Sequence, residues 1–192
     1  MKVTKAQAQA NRAHIVETAS ELFRERGYDG VGIADLMAAA GFTHGGFYKH
    51  FGSKADLMAE AAACGISQTV AMTEGSGPGE FLQQYLSRQH RDAPGQGCTM
   101  AALCSDAARQ PESVKEVFAT GLERLLAALS PDVTGNEAMS REARARNISV
   151  IAHAVGALVL SRACPDDSPL ADEILETCRS AIQSHSSARP ER

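Results

Sequence analysis

The chain has 192 residues, of which 44% are hydrophobic and 22% are charged, a balance typical of a globular protein with a buried core. The net charge of −4 excludes a wholly basic nucleic-acid binder but allows a locally basic face. No apolar run reaches the roughly 20 residues of a membrane span, and no apolar stretch follows the charged N-terminus. We therefore expect a cytoplasmic protein without a signal peptide or a membrane partner.

The five cysteines are an odd number without a C-x-x-C pair, which argues against a disulfide scaffold and a zinc finger. Alanine is abundant, and β-branched runs alternating with turns are absent, so the sequence predicts an all-α fold. Residues 1–54 carry seven basic and five acidic side chains, whereas the remainder carries twelve and eighteen. A basic face is therefore expected near the N-terminus.

The first helix is predicted to begin at Thr4, where Thr4 and Gln7 match a capping box, and to end at Gly27. Its apolar stripe at helical spacing consists of Ile15, Ala19, Leu22 and Phe23. Further helices are predicted at residues 33–40, from Thr43, from Ser53 past residue 65, and at 80–90, 98–109, 112–129, 140–163 and 168–185. Residues 73–79 are predicted to form a loop, and the tail from Ser186 to be disordered.

Residues 33–54 form the most informative stretch, because two short helices joined by a glycine turn are the layout of a helix-turn-helix. Its second helix offers hydroxyl, ammonium and imidazole groups suited to phosphates and base edges, while two phenylalanines face the core. The adjacent Gly45 and Gly46 cost a helix roughly 1 kcal/mol each, for which close approach to a duplex gives a reason. Simple packing of three helices is the alternative.

The pattern of apolar, glycine and polar positions runs Ile15-x-x-x-Ala19-x-x-Leu22-Phe23-x-x-x-Gly27-Tyr28, then Leu36-Met37-x-x-Ala40-Gly41-Phe42-Thr43-x-Gly45-x-Phe47-Tyr48-x-His50-Phe51-x-Ser53-Lys54-x-x-Leu57. This pattern, within residues 12–61, resembles the N-terminal domain of TetR/AcrR-family transcriptional regulators. The resemblance implies an all-α homodimer of about nine helices per chain. A helix-turn-helix DNA-binding domain at 1–52, with its motif at about 33–51, would bind a palindromic double-stranded DNA operator. A ligand-binding and dimerisation domain would occupy 53–192.

The resemblance also assigns site residues. Those implied to bind DNA are Thr43, His44, Gly45, Gly46, Tyr48, Lys49, His50 and, as a phosphate contact, Lys54. The sequence departs from the family at Gly46, which replaces a small hydroxyl residue or alanine, and at Ala34, where arginine is frequent. A third departure, Gly32, replaces the usual Ser/Thr cap of the second helix.

The resemblance further implies a repressor that is released from its operator by a small-molecule effector. The candidate lining of the ligand pocket is mostly apolar with one hydroxyl, which suggests a hydrophobic ligand. Each of these residues also suits ordinary core packing. They are Met72, Phe81, Tyr85, Met100, Leu103, Val117, Phe118 and Leu122. The last two helices are implied to form the dimer interface, or else to close the core of one chain, through Ile148, Ile151, Val155, Leu158, Val159, Leu170, Ile174, Leu175 and Ile182.

Two alternatives concern the chemistry. Cys98 follows a Pro-Gly-Gln-Gly loop and is expected near a helix N-terminus, a position that lowers the pKa of a thiol. One interpretation is therefore a repressor that senses oxidants or electrophiles through Cys98. The other is that Cys98 is a small buried hydrophobic residue, as free cysteines usually are. An enzyme is disfavoured, because the glycine-rich residues 75–79 match no nucleotide-binding motif. His90, Cys98 and Cys104 match no standard metal-ligand spacing. We expect no cofactor and no metal.

Overall fold

The computed structural model describes residues 4–75, 78–130 and 139–187. Over these ranges the secondary structure is helical and contains no strand, which confirms the all-α prediction. None of the described helices is long and apolar enough to cross a bilayer. The α-helices are α1 (Lys5–Arg26), α2 (Ile33–Ala39), α3 (Lys54–Gly75), α4 (Pro78–Tyr85), α5 (Arg88–Asp92), α6 (Thr99–Ala107), α7 (Glu112–Ala128), α8 (Arg141–Arg162) and α9 (Pro169–Ser187). Two 3₁₀ helices lie at His44–Lys49 and Pro94–Gln96.

The chain packs as two compact units. The first unit comprises Met1–Gln68 and Pro94–Gly121, and the second comprises Thr69–Ala93 and Leu122–Arg192. The first unit therefore contains α1, α2 and α6 together with the first part of α3. This grouping describes packing within one chain, and the division into DNA-binding and ligand-binding domains at residue 52 stays a prediction.

Local signals in the sequence account for the ends of the first helices. The Thr4 hydroxyl accepts a hydrogen bond from the Gln7 amide at 3.2 Å, as the capping box predicts. Helix α1 ends at Gly27, whose φ of +71° and ψ of 169° strain any residue with a Cβ. The Ser53 hydroxyl accepts from the Asp56 amide at 3.1 Å and caps α3. These boundaries are confirmed.

Three predicted boundaries are wrong. The single helix predicted at 80–90 is two helices, because the Ser87 hydroxyl accepts from the His90 amide at 3.1 Å and starts a new one. The predicted loop at 73–79 is shorter, since α3 continues to Gly75 and α4 begins at Pro78, a residue suited to the first helical position. Helix α9 includes Ser186 and Ser187, and the rest of the predicted disordered tail lies outside the described residues.

In the second unit, α8 and α9 pack along alanine and leucine side chains. Ala157 and Leu158 of α8 and Ala171 of α9 are buried, and the Ser161 hydroxyl donates to the Ala171 carbonyl at 2.8 Å. The buried Arg91 guanidinium donates to the Ser161 carbonyl at 3.0 Å and so satisfies a backbone acceptor at the end of α8. The end of α8 is thus held by both packing and hydrogen bonds.

Candidate DNA-binding surface

The helix-turn-helix consists of helix α2 and the 3₁₀ helix His44–Lys49. The 3₁₀ helix alone is here called the recognition segment. The turn between them depends on Gly41, whose φ of +79° favours glycine. Phe47 and Phe51 are buried, as predicted, and their ring centres lie 5.5 Å apart. Because these two rings anchor one side of the segment, its opposite side faces solvent.

Most of the residues that the resemblance assigns to DNA lie on this exposed side. Among the large hydrophobic side chains in the described part of the chain, Tyr48 is the most exposed, with 66% of its surface accessible. The other exposed members are Thr43, His44, Gly45 and Lys49, and the half-buried members are Gly46, His50 and Lys54. The side chains that carry hydroxyl, imidazole and ammonium groups therefore share one accessible surface.

The two glycines of the segment are not required by packing within the protein. A Cβ added at Gly45 would meet no atom within 4 Å. At Gly46 it would meet only the methyl of Met37 at 3.6 Å and the Thr43 hydroxyl at 3.7 Å, which are ordinary contacts. Packing within the chain thus does not require either glycine. Their effect is that no side chain covers the backbone of the segment on its solvent side.

The recognition segment differs from the predicted helix in one respect. It is a 3₁₀ helix, and although Thr43 has the extended backbone of an N-cap, its hydroxyl makes no capping hydrogen bond. A pair of glycines within six residues weakens α-helical hydrogen bonding, and short 3₁₀ turns are the common substitute. The backbone position of the predicted cap is confirmed, and its hydrogen bond is absent.

Lys54 has a structural contact that the sequence did not reveal. Its Nζ donates to the Tyr28 carbonyl at 2.5 Å and lies 5.9 Å from the centre of the Phe23 ring. The Tyr28 amide in turn donates to the Asp106 carboxylate at 3.0 Å. The turn after α1 is therefore held from α3 and from α6, and two of the three N–H groups of Lys54 remain for a phosphate.

Arg12 and Asp106 are the residues of this region that sequence reasoning missed. Arg12 contacts Glu60 and the His50 carbonyl, 48 and 38 residues away in the chain. Asp106 contacts a backbone amide 78 residues away. Helical periodicity gave no signal for either residue, because each polar contact joins separate elements.

The residues predicted to bind a ligand are divided between the two units. In the first unit Met100, Leu103 and Phe118 are buried and Val117 is half-buried. In the second unit Tyr85 is buried, Phe81 is half-buried, and Met72 and Leu122 are exposed. All eight stay candidates for the effector site.

Tyr85 belongs to an aromatic cluster in the second unit. Its ring centre lies 5.6 Å from that of Phe81 and 4.8 Å from the His90 ring, and His90 Nδ1 lies 2.6 Å from the Tyr85 carbonyl. Burial, together with the positive charge of Arg162, lowers the pKa of His90. The imidazole is therefore favoured as the neutral form beside the tyrosine.

The residues predicted to form a dimer interface also fall into groups. Leu158, Leu175 and Ile182 are buried within the single chain and close its own core. Those left open to a partner are Ile148, Val159 and Leu170, with Ile151, Val155 and Ile174 half-buried. Leu160, which the sequence did not single out, is 60% exposed.

The five cysteines are free thiols that differ in their accessibility. Cys98 is buried at the N-cap of α6, and burial raises the pKa of the neighbouring Cys104 to about 11. Over the ranges that the structure describes, no three His, Cys, Asp or Glu side chains come together as metal ligands. A thiol reacts as an accessible thiolate. Cys98 lacks the accessibility expected of a sensor, whereas Cys104 is exposed but has a raised thiol pKa.

Comparison with known proteins identifies the helix-turn-helix region. Residues 15–68 match the family model of bacterial regulatory proteins, tetR family. The HTH-type transcriptional repressor DhaR of Mycobacterium sp. (strain GP1) is 33% identical over 93 residues, or 45% of this chain and 47% of that protein. The HTH-type transcriptional regulator AcrR of Shigella flexneri is 40% identical over 57 residues, or 30% of this chain and 26% of that protein. The matches thus span half or less of these relatives.

The fold match extends over nearly the whole chain. The crystal structure of reduced Escherichia coli NemR aligns with a TM-score of 0.73 and 20% identity, covering 91% of this chain and 96% of that one. A TetR transcriptional regulator from Chloroflexus aurantiacus aligns with a TM-score of 0.71 and 22% identity, covering 96% and 98%. Residues 15–68 thus match the tetR family of bacterial regulatory proteins, and the whole chain shares the fold of these solved structures.

Proposed function

We propose that the protein is a transcriptional repressor that binds DNA as a homodimer through the recognition segment. The observation that carries this proposal is the sidedness of the segment: Phe47 and Phe51 are buried, whereas Tyr48 and Lys49 are exposed beside two glycines that packing does not require. Such a surface lets a duplex approach the backbone while hydroxyl and ammonium groups contact phosphates and bases. The relatives DhaR and NemR are named as repressors, which supports the sign of regulation.

The proposed dimer joins copies through α8 and α9. Exposed apolar side chains of these helices, Ile148, Val159, Leu160 and Leu170, form no part of the core of one chain. Two recognition segments related by a two-fold axis would meet half-sites about one helical turn apart, ~34–36 Å. Sedimentation of the wild type and of Leu160→Glu tests this step, since a charge at an apolar interface would favour the monomer.

DNA binding is tested by fluorescence anisotropy with the intergenic duplex upstream of the protein's own gene and with a scrambled duplex, at two salt concentrations. A specificity ratio of about 10³ or more supports an operator binder. Tyr48→Phe and Lys49→Ala should both weaken binding, and Lys49→Ala should also lower the salt slope by about one. Lys115→Ala, which removes an exposed lysine of α7, is the matched control for charge.

Equal, salt-sensitive binding to both duplexes would leave two explanations: an operator elsewhere, which genome-wide selection tests, or loss of base reading through the departures at Gly32, Ala34 and Gly46. Absence of binding to either duplex would refute the proposal.

We further propose that a small hydrophobic effector releases the operator. The cluster of the buried Tyr85 with the half-buried Phe81 and His90 offers aromatic surface and a hydroxyl, the combination that suits an apolar or aromatic ligand. A coupling free energy of about 1–3 kcal/mol between ligand and DNA sites would weaken operator binding 5- to 150-fold. Anisotropy of the protein–operator complex with a panel of apolar compounds detects such release, and Tyr85→Ala should reduce the response.

The same assay distinguishes a cysteine-based trigger from an effector site. If electrophiles released the operator through Cys98, Cys98→Ser would abolish that release and leave the response to apolar compounds intact. Burial of Cys98 favours the effector, so we expect Cys98→Ser to respond like the wild type.

A further inference from the structure

The recognition segment cannot hold its conformation by its own hydrogen bonds. It has only six residues, includes Gly45 and Gly46, and makes no side-chain bond at its N-cap. Isolated 3₁₀ helices of this length are uncommon, and each glycine adds backbone freedom that must be removed before binding. Contacts from the neighbouring helices must therefore fix the segment.

Arg12 of α1 provides such a contact at the C-terminal end of the segment. Its two terminal nitrogens donate to the two carboxylate oxygens of Glu60 on α3. Its Nε donates to the carbonyl of His50, the C-cap residue, at 3.3 Å, and the guanidinium lies 4.7 Å from the centre of the Phe51 ring. One planar side chain thus joins three elements around the end of the segment.

The chemistry of this contact requires arginine. The guanidinium carries five N–H groups in a rigid plane, which allows a two-pronged bond to a carboxylate, a third bond to a carbonyl and stacking on an aromatic ring together. A lysine at the same place keeps the positive charge but can make neither the paired bonds nor the stacking. The His50 carbonyl lies at a helix end, where the helix itself supplies no donor, so Arg12 provides the hydrogen bond to this acceptor.

We propose that Arg12 is a positioning residue for DNA recognition: oriented by Glu60, it fixes the C-terminal end of the recognition segment through the His50 carbonyl. The proposal rests on the proposed DNA-binding function. In this role Arg12 contributes to affinity for the operator without contacting a phosphate, and Glu60 contributes although its charge repels DNA. The sign of the Glu60 effect separates positioning from simple electrostatics.

The test compares Arg12→Lys and Glu60→Gln with the wild type by anisotropy on operator and scrambled duplexes over a salt series. Positioning predicts that each variant weakens operator binding about tenfold, the factor of one charge-assisted hydrogen bond, with an unchanged salt slope and unchanged affinity for the scrambled duplex. The matched control is the exposed pair of Arg144 and Glu123, whose nitrogens and oxygens lie 2.6–2.7 Å apart in the second unit. Arg144→Lys and Glu123→Gln should leave operator binding unchanged.

A second readout needs no DNA. Amide hydrogen exchange of the free protein should accelerate over residues 44–51 in Arg12→Lys and Glu60→Gln, with exchange in α8 and α9 unaltered. This arm decides the positioning role even if the wild type binds no operator, in which case only the proposed function fails. A general loss of structure would accelerate exchange throughout and would overturn the proposal.

Three results contradict positioning. Tighter operator binding by Glu60→Gln would show that repulsion of DNA is the main effect of that carboxylate. Equally weakened binding of both duplexes by Arg12→Lys would assign Arg12 to a direct contact with the DNA backbone. Unchanged exchange over residues 44–51 in both variants would show that the segment is held without this contact.

Discussion

The turn after α1 allows one prediction to be worked through, the effect of Gly27→Ala. Gly27 has a φ of +71° with an extended ψ, a conformation that is almost exclusive to glycine. A Cβ at this position would lie 2.6 Å from the Asp106 Oδ2, the oxygen that accepts the Tyr28 amide at 3.0 Å. The substitution therefore strains the backbone and displaces the carboxylate from its hydrogen bond.

The two costs can be estimated separately. Backbone strain in this region is about 1–3 kcal/mol. Loss of a hydrogen bond to a charged group is about 1.5–3 kcal/mol, so Gly27→Ala should lower the free energy of unfolding by about 2.5–6 kcal/mol in total. Asp106→Ala loses this hydrogen bond, about 1.5–3 kcal/mol, together with its ion pair to the exposed Arg109, which contributes little. In the double variant that bond is lost once, so the double variant should be about as unstable as Gly27→Ala.

Urea unfolding followed by circular dichroism measures all three variants, at one fixed protein concentration so that the proposed dimerisation does not alter the comparison. Gly41→Ala is the matched control: its φ is +79°, yet a Cβ there would meet no atom within 4 Å. It should lose only about 1–2 kcal/mol and show no coupling to Asp106. Additive effects of Gly27→Ala and Asp106→Ala, or a Gly27→Ala loss no larger than that of Gly41→Ala, would refute the reasoning.

Three other predictions concern single side chains. Lys54→Ala should lower the salt slope of operator binding by about one, measured by anisotropy; an unchanged slope would leave Lys54 only its bond to the Tyr28 carbonyl. Burial lowers the pKa of His90 from its ordinary value of 6.5. The unfolded chain therefore takes up a proton on His90 at a higher pH than the folded protein does, so the free energy of unfolding falls as the pH drops through about 6.5. His90→Gln should flatten this fall in a pH series of urea titrations. Arg24, which is 5% exposed, donates twice to the Gly95 carbonyl, so Arg24→Met should leave that acceptor unpaired and cost about 1–3 kcal/mol in the same titration, and no loss of stability would contradict this role.

The features that the sequence predicted well are those encoded within one turn of chain. Thr4, Gly27 and Ser53 marked helix ends because caps act on residues three or four positions away. The burial of Phe47 and Phe51 followed from helical spacing. The break at Ser87 is also local, but the helical pattern around it concealed the cap.

The features that the sequence did not predict depend on distant partners. Nothing near Asp106 in the chain indicates that its carboxylate would accept from the Tyr28 amide. The same holds for Arg12, whose partners lie on two other elements. Helical periodicity predicts which face of a helix is apolar, but it does not predict which polar group of another helix will contact that helix.

The open space at Gly45 has a consequence for how this protein could change over evolutionary time. A Cβ placed there would meet no atom of the described residues within 4 Å apart from its chain neighbours, and it would replace a poor helix former with a better one. New side chains at Gly45 would therefore arise with little loss of stability, while each would present a different group at the proposed surface for DNA. The position is one at which a lineage can acquire a new operator preference without first acquiring a compensating change in the fold.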